Sequence, residues 1–315
     1  QKKKIKVHYP LLVASAYSGY VIWHMGYSSS AALFVASENH PLQSEIGIIP
    51  VTQTIFTNFN ISLALITLFI ITIVSPLMRP TNEKEIIQVD TKKFKKNKIT
   101  VTNNFRSVAQ VIENNRLISF FTGFALLFFV LHTFYEKGFF LDLNLVSWTF
   151  LCFGLILANS PIHYVKLVNN ASITVGPIIL QYPFYAGIMG MMADTGLIKV
   201  FADYIVSFSS ADTLGFYSFL SGGLVNMFIP SGGGQWAVQG PVMIEAAKSL
   251  NVEPYVIVLG VSYGDQWTNM IQPFWTIPLL AIAGLHMRQI MGYTFIIFII
   301  TGFLYGGAMF YLGSG

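Results

Sequence analysis

Eight stretches of nineteen residues or more contain no Asp, Glu, Lys or Arg: 7–37, 46–78, 117–135, 143–165, 167–193, 213–244, 266–287 and 289–315. A helix needs about 20 such residues to cross a hydrocarbon core roughly 30 Å thick. Lipid also admits only backbone that satisfies its own hydrogen bonds. The stretches lack the two-residue alternation, in segments of about ten, that a membrane barrel requires. Only 10% of the 315 residues are charged and 54% are hydrophobic, against about 25% charged in soluble domains. The expected fold is therefore an all-α polytopic membrane protein.

Several classes of function fall away. Cys152 is the sole cysteine, which excludes an internal disulfide framework and a cysteine-ligated cluster and leaves a small buried hydrophobe. A net charge of +4 comes with no basic motif interleaved with aromatics, so no nucleic-acid partner is expected. The spans hold no activated Ser–His pair and no His-Glu-x-x-His motif, which argues against an intramembrane enzyme.

Charge sets the topology. Nine of the eighteen basic residues fall between Arg79 and Arg116, and four more are Lys2, Lys3, Lys4 and Lys6. The positive-inside bias puts both segments in the cytoplasm. Crossings are then expected over 8–37, 54–78, 117–135, 143–162, 172–192, 254–285 and 289–312. The stretch 197–208 places Lys199, Asp203 and Ser207 at a spacing of four, as an interfacial helix would.

The run 213–244 does not fit one crossing. As a single helix it would be about 48 Å long. Pro230 and Gly232 to Gly234 divide it into two arms too short to span alone, so a re-entrant helical hairpin is expected. Non-helical backbone at that depth must be buried in protein or line a watery cavity. A second arm starting at Gly234 or Gln235 aims its unpaired N–H groups and its positive dipole end at the tip, and glycines let a ligand approach them. This reads as an anion site, with a plain tight turn packed by small residues as the alternative.

A second break lies in 254–285, where Asp265, Gln266, Thr268, Asn269 and Gln272 crowd the centre and Pro273 opens a new half-helix. The run 9–37 has the same plan, with its break at Gly26 and Ser28 to Ser30. Matching Tyr17 to Tyr263 sets an offset of 246. Each broken segment is followed by one uninterrupted span, 54–78 or 289–312, and the two run in opposite directions. That pattern is an inverted repeat around a midplane site, as in many secondary carriers. The second repeat has a hairpin before its broken helix and the first has none. N-terminal helices, on the order of 100 residues by the size of the second repeat, are therefore expected to be missing from this chain.

Asp265 is the only Asp, Glu, Lys or Arg well inside a span, and such a residue is by default a functional candidate for a cation or a proton. A carboxylate that caps the helix break is the plainer alternative. His24, near the other break, reads either as a proton carrier or ligand or as a satisfied interior histidine. Trp236, Trp267, Phe274 and Trp275 flank the polar breaks. With no Lys or Arg in any span, a substrate anion must be met by dipoles, amides and a co-bound cation. That favours a single carboxylate over two.

Two motifs, "NMFIPSGGGQWAVQGPVMIEAA" (226–247) and "SYGDQWTNMIQPFWTIPLLAIAGL" (262–285), resemble those of the bacterial short-chain fatty acid transporter family, elevator-type secondary carriers of the ion-transporter superfamily. The resemblance covers the whole chain, including "PLLVASAYSGYVIW" and "GIIPVTQTIFTNFNI". It implies uptake of butyrate, acetoacetate or similar monocarboxylates across the inner membrane, coupled to sodium or protons, by a dimer. Another small carboxylate or an anion channel is the alternative. Where the family often has Glu, this sequence has Asp265.

The resemblance further implies that Ser231, Gly232, Gly233, Gly234 and Gln235, with Asn226, form one wall of the substrate site. Thr268, Asn269 and Gln272 form another, and Ser28, Ser29 and Ser30 belong to the pseudo-symmetric half. Asp265 is the coupling residue, with Asp265 and Asn269 the candidate sodium ligands and no other cofactor expected. The implied transport part comprises 1–53 and 210–285. The scaffold comprises 54–78, 117–209 and 286–315, with a basic cytoplasmic loop over 79–116.

Overall fold

A computed structural model describes residues 6–89, 107–138 and 143–314. Lys2 to Lys4 and the middle of the basic loop lie outside the described residues. Among the described residues the chain is helical and has no strand. The helices are α1 (Tyr9–Ser18), continued by a 3-10 segment (Gly19–Met25), α2 (Ser30–Val35), α3 (Gln43–Ile46), α4 (Asn58–Leu77), α5 (Val108–Glu113) and α6 (Arg116–Lys137). They continue with α7 (Leu143–Leu157), α8 (Pro161–Asp194), α9 (Leu197–Val206), α10 (Leu214–Asn226), α11 (Gly232–Leu250), α12 (Pro254–Thr268), α13 (Thr276–Ala283) and α14 (Met287–Gly313).

The starts and stops follow local chemistry. Proline opens α12 at Pro254 and lies in the first turn of α1 at Pro10, where its missing N–H costs nothing. Thr57, Asn115 and Ser231 each accept a backbone N–H at the start of α4, α6 and α11, which satisfies a donor the helix leaves free. Left-handed Asn251 and Gly284 end α11 and α13, as such caps commonly do.

Two boundaries differ from the sequence expectation. In place of spans over 143–162 and 172–192, α7 stops at Leu157 and α8 runs unbroken from Pro161 to Asp194. The cause is a cap at Ser160, whose Oγ accepts the N–H of His163 at 3.2 Å, followed by Pro161 in the first turn. The half-helix expected from Pro273 begins at Thr276, because Pro278 has no N–H to bond the Phe274 carbonyl and so interrupts the ladder that the Ile277 N–H opens on the Pro273 carbonyl.

The chain forms two compact units, residues 91–177 and residues 1–90 with 178–315. In the smaller one α6 packs on α7 at Gly123, where a Cβ would lie 2.7 Å from Ile156 Cγ1. Cys152 is buried and free.

In the larger unit, α4 and α14 invert the soluble pattern. On α4 the buried face is Asn60, Leu63, Thr67, Ile71 and Ser75. Leu65, Phe69 and Leu77 point outward with most of their surface exposed. On α14 Ile290, Thr294, Ile297, Thr301, Tyr305 and Met309 are buried, and Phe295 and Phe303 face out. Thr67 and Thr301 satisfy their hydroxyls on the carbonyl four residues back, at 2.7 Å each. An apolar exterior around a partly polar interior is what lipid as solvent selects. Three described helices, α4, α6 and α14, are long and apolar enough to cross a membrane.

The closest helix pair in this unit is α10 with α12. A Cβ on Gly264 would sit 2.1 Å from the Phe219 carbonyl oxygen, and one on Gly222 would sit 2.7 Å from that of Val261. Gly260 faces Ser218 in the same way. Small residues at a spacing of four let the two backbones touch, the usual device of helix pairs in membranes.

Candidate functional site

Three interruptions of helix meet at one place. The first is the turn between Met25 and Ser30. The second is the chain after Thr268, before α13 begins. The third is the bend from Met227 to Ser231 that joins α10 to α11. These two helices lie antiparallel, since Gln235 Nε2 donates to the Gly222 carbonyl at 2.8 Å and Gln239 Nε2 donates to Ser221 Oγ at 2.6 Å. The arms are unequal, 13 and 19 residues. α11 runs past Glu245 to Leu250 because its charged end is solvated, with Lys248 paired to Glu45 at 2.9 Å.

At the centre, His24 Nε2 faces Asp265 Oδ2 at 3.5 Å, and both side chains are almost fully buried. His24 is fixed from three sides. Its Nδ1 lies 3.1 Å from Ser29 Oγ, its backbone N–H donates to Gln266 Oε1 at 2.9 Å, and its ring centre is 3.7 Å from that of Trp23. Asp265 Oδ1 accepts from Asn269 Nδ2 at 3.3 Å. Asp265 Oδ2 and His24 Nε2 have no hydrogen-bond partner, an arrangement that a buried polar pair keeps only for a reason.

The hairpin tip closes on this pair. A Cβ on Gly232 would fall 2.7 Å from both Cε1 and Nε2 of His24 and 2.8 Å from Trp23 Cη2. Gly233 is freer, with Ser30 Cβ its nearest neighbour at 3.7 Å. Ser231 Oγ accepts the N–H of Gly234 at 3.4 Å, and the Ser231 carbonyl accepts that of Gln235 at 2.6 Å. The amides of Gly232 and Gly233 therefore precede the first helical hydrogen bond and remain available.

The structure brings most of the sequence-derived residues to this neighbourhood, but in different states. Asn226 Nδ2 donates to the Asp265 carbonyl, Thr268 Oγ1 and Asn269 Oδ1 at 2.9, 2.8 and 3.0 Å. Asn226, Thr268 and Asn269 thus form one knot and not two separate walls. Gln235 has spent its Nε2 on Gly222 and Gln239, and its buried Oε1 has no partner. Gln272 is buried with both amide atoms unpartnered. Ser29 meets His24, while Ser28 is exposed and its Oγ donates to the Trp23 carbonyl.

Two residues were missed or undervalued in the sequence. His24 stood 241 positions from Asp265 with no local pattern to link them. The expected meeting of two inverted breaks was the available signal, because His24 is the one imidazole near the first break. Asn60 drew no attention. It sits on α4 and is completely buried, with Nδ2 donating to the carbonyls of Met25 and Ile55 at 2.9 and 2.7 Å. Its Oδ1 accepts from Tyr263 OH at 2.7 Å. An Asn inside an apolar span is a signal in itself.

Polar backbone, a carboxylate and an imidazole are thus enclosed among helices with apolar outward faces in the described residues. That arrangement suits a membrane transport protein. The family model for short chain fatty acid transporters matches residues 1–312, and the chain belongs to that family. It is 34% identical over 307 residues to a candidate short-chain fatty acid transporter of Escherichia coli K12, covering 97% of this chain and 68% of the relative. It is 32% identical over 318 residues to one of Haemophilus influenzae, covering 97% and 69%. Family and relatives are transporters, not enzymes. No solved structure matches the chain.

Proposed function

We propose that the protein is a secondary carrier of short monocarboxylates, such as butyrate or acetoacetate, across the bacterial inner membrane, coupled to sodium or protons. The observation that carries this reading is the convergence of two helix breaks and a glycine hairpin tip on one buried carboxylate. The free amides of Gly232 and Gly233 and the dipole of α11 suit one carboxylate. No Lys or Arg occurs in α1, α2, α10, α12 or α13 to receive a second. The coupling cation goes to Asp265 Oδ2, with Asn269 beside it.

Other features favour inverted repeats, with the hairpin re-entrant. Tyr17 of the first broken segment donates to the Asn269 carbonyl of the second at 2.8 Å. Its counterpart Tyr263 reaches back through Asn60 to the Met25 carbonyl at the first break. Each half thus ties down the other's interruption. Alternating access by an elevator motion of these broken elements, in a homodimer, completes the reading.

The test is uptake of labelled butyrate into liposomes holding the full-length protein, under an imposed sodium gradient and then an imposed proton gradient. Uptake that needs sodium and is lost in Asp265→Asn assigns Asp265 to the ion. Uptake driven by protons alone makes Asp265 the proton carrier. Absence of uptake under both gradients would overturn the proposal.

A further inference from the structure

We propose that His24 is the side chain that recognises the substrate carboxylate, and that it does so by exchanging Asp265 for the substrate. The inference rests on the carrier reading above and adds a residue and an order of events to it.

The geometry of the imidazole supports it. Ser29 Oγ, 3.1 Å from Nδ1, can donate its hydroxyl proton there and so leave the proton of the neutral ring on Nε2. That N–H then points into the space shared by Asp265 Oδ2 and the start of α11. Its neighbour Asp265 Oδ2 at 3.5 Å is well beyond the roughly 2.7–2.9 Å of a good charge-assisted bond, so the two atoms are close without being hydrogen-bonded. The first turn of α11, whose amides precede the first helical hydrogen bond, lies against the same nitrogen, since a Cβ on Gly232 would fall 2.7 Å from Nε2. The start of α11 and the imidazole thus meet from two segments far apart in sequence, with one buried carboxylate beside them.

A helix N-terminus alone offers amides to any small anion. The imidazole makes the site directional, because Ser29 and Trp23 contact the ring and Gln266 holds the backbone N–H beneath it. Tip and imidazole touch in this closed state, so a substrate enters by lifting the tip and taking the Nε2 proton donor away from Asp265. Asp265 is then left with the single contact from Asn269, and a second carboxylate has arrived beside it. Two like charges at that depth are strongly unfavourable, so the substrate binds well only when a cation joins Asp265. Anion and cation consequently favour each other's binding, as linkage requires.

The test uses the full-length protein in liposomes, with the half-saturating concentration for butyrate as the readout. In His24→Gln the amide nitrogen sits near the position of Nε2 and keeps most of the affinity. In His24→Asn it sits near Nδ1 and loses it. The expected rise is within about 3-fold for Gln and roughly 10- to 100-fold for Asn, the range of one lost hydrogen bond to a charged group. Competition by butyramide, which has the same tail and no charge, should be far weaker than competition by unlabelled butyrate in the wild type. That gap should narrow in His24→Asn, an effect that misfolding would not produce.

If His24→Asn does not fold, Ser29→Ala keeps the ring but frees it, and an increase of several-fold in half-saturation is expected. Wild-type uptake combined with unchanged half-saturation in these variants would overturn the role of His24 and leave the carrier reading intact. Absent wild-type uptake would overturn both.

Discussion

Adjacent glycines at the hairpin tip give a sharp test of the closed site. In Gly232→Ala the new methyl group would lie 2.7 Å from the imidazole of His24 and 2.8 Å from Trp23, about a full ångström inside van der Waals contact. His24 has little room to yield, because Ser29 and Trp23 contact its ring and Gln266 holds its backbone N–H. Overpacking of this kind costs about 1–3 kcal/mol, and replacing a first-turn glycine by alanine returns roughly 0.5–1. A net loss of about 1–2 kcal/mol shifts the balance between closed and open tip by about 5- to 30-fold. Gly233→Ala meets only Ser30 Cβ at 3.7 Å, so the same exchange one residue later gains stability. The assay is thermal unfolding of both variants in detergent alongside butyrate uptake. Gly232→Ala should unfold several degrees lower and transport more slowly, and Gly233→Ala should unfold slightly higher. Equal unfolding temperatures for the two, or a Gly232→Ala protein indistinguishable from wild type, would refute the claim that the tip rests on His24.

Other substitutions probe the frame. Gly264→Ala drives a methyl into the Phe219 carbonyl and should prevent α10 from packing on α12, read as loss of folded protein by size-exclusion chromatography. Asn60→Leu strands the carbonyls of Met25 and Ile55 and the hydroxyl of Tyr263, at about 1–3 kcal/mol per group, and thermal unfolding should fall accordingly. Lys6 donates to Glu83 at 2.7 Å and holds its carboxyl below the usual 4.5. The pair therefore contributes stability in full above about pH 4.5 and loses it as the pH falls through the lowered value. In Glu83→Gln that acid-side loss should be absent from an unfolding titration.

Much of this was legible because lipid imposes simple rules. Uncharged runs locate α4, α6 and α14, and Pro230 with the glycines at 232–234 locates the hairpin bend. Asp265 stands out for being charged where nothing else is. What the sequence hides is partnership. Asn226, Thr268 and Asn269 all look like ligand-facing polar groups, yet they bind each other, and only the contact of α10 with α12 shows that. The boundary of α8 was hidden for another reason: a cap at Ser160 and a proline at 161 start a helix as readily as they end one, and an apolar run carries both readings. The 3-10 segment from Gly19 to Met25 likewise leaves no periodic mark, so regular α-helix ends at Ser18, well before the break that the sequence shows at Gly26.

Asn60 sets a mechanical condition on the transport cycle. With two donated bonds and one accepted bond it fastens α4 to the first interruption and to Tyr263 of α12, and Tyr305 of α14 fastens to the Val21 carbonyl at 3.1 Å. Any rigid-body displacement that leaves α4 behind must first break Asn60's bonds to Met25 and Tyr263, in a place where water is not at hand to replace them. A displacement that carries α4 along breaks none. For the proposed elevator motion, the line between parts that would travel and parts that would stay is thus drawn by where the buried amide of one residue is attached.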